Sequence, residues 1–123
     1  MKALLAVAVL LLSACGTGSQ FKWEESGASK AIRRPIEENL GLFKLCLEDE
    51  RKRNPDFEGD LTMDWQIDDQ GIASKAMRRL GSIRDGDFVR CVGEKIEAIK
   101  FSPAEPGKTL SVTYPFQFQR KSN

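Results

Sequence analysis

Two stretches of this chain alternate apolar and polar residues one for one, and nothing else in the sequence constrains the fold as tightly. Leu61, Met63, Trp65 and Ile67 are separated by Thr62, Asp64 and Gln66. Leu110, Val112, Tyr114, Phe116 and Phe118 are separated by Ser111, Thr113, Pro115 and Gln117. Successive side chains of a β-strand point to opposite faces, so each stretch predicts a strand with one buried and one wet face. Asp68-Asp69-Gln70-Gly71 reads as a turn, and residues 72–80 are expected to return as a further strand. Strands with a single apolar face need a second layer over them.

Helices supply that layer. Ile36, Leu40, Phe43 and Leu47 recur at helical spacing, and Pro35 predicts the helix start because proline is tolerated in a first turn. Glu37 and Glu38 near its N-terminus and residues 51–53 (Arg-Lys-Arg) near its C-terminus suit the macrodipole, and Asn54-Pro55 ends it. A second helix is expected after Asp85 as N-cap, with Phe88, Val92, Ile96 and Ile99 as its stripe. Residues 101–107 form a stiff loop before the last strand. The order α-β-β-α-β predicts an α+β fold, a two-layer α/β sandwich. Its antiparallel three-stranded sheet has strand order 2-1-3 with both helices on one face. Leu110–Phe118 is then an edge strand, where Pro115 is admissible.

The N-terminus carries an address. Lys2, an apolar run over residues 3–12 and small residues before Cys15 have the form of a secretory signal peptide. The run is about ten residues, half of the roughly 20 that a membrane span needs. Leu12-Ser13-Ala14-Cys15 resembles the lipobox of bacterial lipoproteins, which implies that Cys15 is acylated, palmitate included, and becomes the first mature residue. An ordinary signal peptide with a cysteine close by is the simpler alternative. Gly16 after the cysteine implies sorting to the outer membrane. Residues 15–34 read as the lipidated N-terminus and a polar tether, interrupted by Phe21-Lys22-Trp23.

Composition excludes several functions. With 19 basic and 18 acidic side chains the chain has no basic excess, which argues against nucleic acid as a partner. The clusters at residues 51–53 and at Arg78-Arg79 read as solvated element ends. No histidine is present, so serine–histidine and cysteine–histidine catalytic pairs and imidazole zinc sites are excluded. With Cys15 committed to lipid, Cys46 and Cys91 in an oxidising compartment are most simply a disulfide, with a redox-active pair as the sharper alternative. Each lies three residues after a core phenylalanine, Phe43 or Phe88, so a helix–helix bridge is sterically feasible. Asp64, Asp68 and Asp69 offer carboxylates for a small hydrolase. Asp68 and Asp69 equally suit a hairpin turn. No EF-hand spacing is present.

In order along residues 35–119, Cys46, Pro55, Gly59, Gly71, Cys91, Phe101-x-Pro103, Gly107 and Tyr114-Pro115-Phe116 resemble the C-terminal domain of the AgmX/PglI gliding-motility family. That domain is related to the TonB C-terminal domain. This chain departs from the family at Leu47, where an aromatic is usual, and at Gly107-Lys108, where Gly-Gly is frequent. The resemblance implies a periplasmic interaction module over residues 35–120, with Cys46–Cys91 carried over as its disulfide. In TonB-like domains an edge strand accepts an extended peptide, which makes Leu110, Val112, Tyr114, Phe116 and Phe118 the candidate partner-binding strand. Thr113, Pro115 and Gln117 are expected to turn their backbone groups outward, with one donor missing at Pro115. TonB-type transducers also use an inner-membrane helix and a long arm. Here the expected tether of about 19 residues reaches at most roughly 65 Å.

The expectation is a non-catalytic, lipid-anchored envelope protein facing the periplasm. It has no cofactor or metal, binds envelope proteins, and is accessory to a gliding-motility or transport assembly. A carboxylate-dependent periplasmic hydrolase and a peptidoglycan-binding lipoprotein are the alternatives.

Overall fold

The computed structural model describes residues 27–119, so the expected signal peptide, Cys15, Gly16 and the Phe21-Lys22-Trp23 segment lie outside the described residues. Its elements are α1 (Gly27–Glu38), α2 (Leu40–Arg53), β1 (Gly59–Ile67), β2 (Ala73–Leu80), α3 (Gly86–Glu97) and β3 (Leu110–Phe118). The sheet is antiparallel throughout and ordered β2-β1-β3, as the element order predicts. Residues 31–119 belong to one compact unit.

β1 is the centre of the fold. Leu61, Met63, Trp65 and Ile67 are essentially inaccessible, whereas the intervening Thr62, Asp64 and Gln66 are half-exposed. Helix α3 covers this inner face from the β2 side, through Phe88, Val92 and Ile96. Asp85 caps it as expected, its Oδ1 accepting from Phe88 N at 3.0 Å. Helix α2 covers the β3 side, its Phe43 ring 5.2 Å from that of Phe116. Phe57, Phe88, Phe116 and Phe118 extend the aromatic packing towards the start of β1. Cys46 and Cys91 are joined in a disulfide that ties α2 to α3, with Cα atoms 5.8 Å apart.

Three expectations are corrected here. The first helix begins at Gly27 rather than at Pro35, which lies inside α1, and the break falls at Asn39. Burial of Ile36, with Ile32 one turn earlier packed on the core, outweighs the single backbone donor that proline withholds. Asn39 then tightens the chain, its N–H donating to Ile36 O at 3.1 Å and its Nδ2 to Pro35 O at 2.8 Å. The second correction follows from that break. It rotates the buried stripe of α2 onto Phe43, Cys46 and Glu50, leaving Leu40 52% exposed and Leu47 only half-buried. Strand β2 also starts one residue later than expected, because Ile72 bridges to Lys100 instead.

The basic clusters are solvated at Lys52, Arg53 and Arg79, as expected, while Arg51 and Arg78 are half-buried and hold backbone carbonyls. Arg51 donates through Nε and Nη2 to Phe57 O, and Arg53 pairs with the buried Glu50. Arg78 donates to Ile83 O and Gly81 O, closing the loop between β2 and α3.

Candidate interaction site at the β3 edge

A three-stranded sheet has two edges, and here they differ. The register of β2 against β1 shifts twice, between Thr62 and Met63 and between Asp64 and Gln66. Each shift bulges β2 and breaks the row of groups an added strand would need. Lys75 takes a positive φ of 53° there, and Ala76 N–H donates to Glu97 Oε2 of α3 at 3.0 Å. Lys75, Arg78 and Arg79 place cations along the strand. Bulges and edge cations are the devices by which proteins discourage strand addition.

β3 pairs with β1 over nine residues without a shift, from Gly59↔Phe118 to Ile67↔Leu110. Residues of the central strand turn both backbone groups to the same side, and that side alternates. Asp60 and Asp68 both turn theirs towards β2: Asp60 O accepts from Ile83 N, Asp60 N donates to Ser82 Oγ, and Asp68 N donates to Ile72 O. The odd-numbered residues of β1 therefore bond β3, through Phe116, Tyr114, Val112 and Leu110. The partners of the even-numbered ones (Ser111, Thr113, Pro115 and Gln117) turn their backbone groups outward. This explains how Pro115 sits inside a regular ladder at no cost, since the N–H it lacks would have pointed to solvent.

The side chains of β3 divide accordingly. Val112, Phe116 and Phe118 are buried and belong to the core, Tyr114 is half-buried, and Leu110 is 40% exposed. Three of the five residues singled out along this strand thus anchor it from within. What the edge offers outward is the backbone of Ser111, Thr113, Pro115 and Gln117, whose side chains are exposed on the open sheet face. The outward turn of Thr113, Pro115 and Gln117 agrees with the sequence expectation, and the pairing with β1 adds Ser111 to that side.

The carboxylates considered for catalysis have structural work. Asp64 accepts from Thr113 Oγ1 at 2.7 Å and from Arg79 Nη1 at 2.9 Å, linking all three strands across the open face. The Thr113 hydroxyl and, after it, Arg79 hold its pKa below the usual carboxylate range against partial desolvation. Asp68 Oδ1 accepts from the N–H groups of Ile72 and Gln70, which lower its pKa and build the hairpin turn. Asp69 Oδ2 accepts from Gly107 N at 2.7 Å. A cavity of about 320 Å³ lies at the other end of the sheet, lined by Glu58, Gly59, Asp60, Gln117 and Gln119, and includes none of the three. Among the described residues no His, Cys, Asp and Glu group is placed to hold a metal ion, and no helix is long and apolar enough to cross a membrane.

Comparison with protein-family models, curated proteins and solved structures returned no match.

Proposed function

We propose that this chain is a lipid-anchored cell-envelope protein whose TonB-like domain binds protein partners in the periplasm. It performs no chemistry of its own and is accessory to a gliding-motility or envelope transport assembly at the outer membrane. The observation that supports this reading is the contrast between the edges: β2 is bulged, cationic and capped by Glu97, while β3 is regular and, among the described residues, pairs with a strand on one side only. An open, regular edge is a template for another chain. Asp64 and Asp68, both held ionised by structural hydrogen bonds, are poorly suited to act as general acids.

Two measurements test the reading. A photocrosslinking residue at Thr113 in living cells is expected to capture a defined envelope protein that the same residue at Lys75 does not. Capture of no envelope protein from Thr113 under any growth condition overturns the interaction role. Labelled palmitate is expected to enter the intact chain and not the Cys15→Ala variant; equal labelling of both would refute the anchor.

A further inference from the structure

We propose that the outward face of α2 pairs antiparallel with the same face of a second copy of this chain, so that the anchored protein works as a weak dimer. The pairing goes beyond the envelope reading: it rests on the proposed lipid anchor and needs nothing from β3. Gly41, Leu45, Glu48 and Lys52 recur at spacings of four, three and four residues, which sets them in one stripe along the helix, and all four are exposed. Leu45 is 53% exposed and Leu40, at the end of the helix, 52%. A Cβ on Gly41 would meet no heavy atom within 4 Å, so α1, which precedes it, leaves this end of the stripe open.

The other helices pair exposed charges within themselves. Arg33 lies 3.7 Å from Glu37 on α1, and Arg90 bonds Asp87 on α3 at 3.1 Å. On α2, Asp49 pairs with Arg53 at 3.6 Å, but Lys44, Glu48 and Lys52 enter no ion pair among the described residues. A two-fold axis perpendicular to the helices and level with position 46 makes these charges complementary. It sets Lys44 of one copy opposite Glu48 of the other, twice by symmetry, and brings the two Leu45 side chains together beside the axis. Lys52 of each copy then reaches Leu40 and Gly41 of the other, where its stem meets apolar surface and open space. A parallel pair instead faces Glu48 with Glu48 and Lys52 with Lys52. Charge therefore selects the antiparallel arrangement.

Helix α2 is about 21 Å long. One helix face of that length falls short of the roughly 800 Å² that each partner gives to a standard interface, so the pairing is weak between free molecules. Anchored copies share one leaflet and meet at a much higher effective concentration, so the membrane is where the dimer forms. Glu48 on the stripe and Asp49 beside it disfavour an anionic lipid surface as the occupant.

Two differently tagged copies of the full chain are expressed together, with a photocrosslinking residue at Leu45 of one. In intact membranes it is expected to capture the copy bearing the other tag, and the same residue at the exposed Arg90 of α3 is not. Lys44→Glu alone and Glu48→Lys alone place like charges opposite each other and are expected to lower the yield at least about threefold. The two substitutions together are expected to restore it, which neither a merely sticky surface nor a disturbed fold produces. No capture of the second copy, or a double variant no better than either single one, overturns the antiparallel dimer. Capture of a different protein at Leu45 overturns it in favour of a foreign partner. If labelled palmitate enters the chain and Leu45 captures no second copy, the dimer fails and the anchor stands. If palmitate stays out, the anchor fails and takes the membrane dimer with it.

Discussion

At the scale of single residues, two glycines and two aspartates show how local geometry carries the fold. Gly81 has φ 129°, and a Cβ there would stand 2.5 Å from Asp60 O. Gly71, at φ 83°, would meet Phe101 O at 2.4 Å. Both contacts are with backbone, which cannot rotate away, so Gly81→Ala is expected to destabilise the protein by about 2 kcal/mol or more in urea unfolding. Asp64 and Asp68 make a pH prediction. Their folded pKa values lie below the ordinary 3.8, so the unfolded chain binds more protons and stability rises with pH in that range. The contribution is present above 3.8 and is lost as pH falls through the lowered folded values. In Asp64→Asn, unfolding free energy should depend less on pH than in the parent over about pH 4 to 2; an identical slope would contradict the role assigned to the Thr113 and Arg79 bonds.

At the scale of elements, the strands and α3 were legible because their patterns are local. One-for-one alternation survives in any context that buries one face, and Asp85 three residues before Phe88 is a self-contained cap. Helix α1 was not legible. Pro35 is the strongest punctuation in its neighbourhood, and only the burial of Ile32 and Ile36 against residues far along the chain overrides it. The bulges of β2 were hidden for the same reason, since Glu97 receives the Ala76 N–H from 21 residues away. The alternation marked β3 as a strand, and proline at position 115 fits an edge and sets the outward parity of Thr113 and Gln117, which the register against β1 bears out. That parity has a sharp consequence. Pro115→Thr keeps every bond to β1 and restores an outward donor, so stability should be unchanged within about 0.5 kcal/mol while self-association in sedimentation increases. Tyr114→Pro removes a donor that faces β1 and should lower stability by about 3 kcal/mol.

At the scale of the whole molecule, the domain is a sheet packed with three helices, of which α2 and α3 are bonded to each other. The Cys46–Cys91 bridge spans 45 residues of sequence. Replacing both cysteines by alanine is expected to cost about 3–4 kcal/mol, measured as a lowered urea midpoint with a steeper slope, because the unfolded chain loses its cross-link and exposes more surface. That is a large share of the roughly 5–15 kcal/mol a domain of this kind possesses.

The bridge has one more consequence, in time rather than in space. Both of its cysteines precede β3 in the chain, and β3 is the strand that completes the sheet. A chain emerging from its N-terminal side has α2, the β1–β2 hairpin and α3 before it has β3, with one flank of the central strand still bare. The covalent tie can therefore close around an unfinished sheet and fix the two helices as a cradle. The closing strand then arrives at a site already shaped, and Val112, Phe116 and Phe118 need only drop into it.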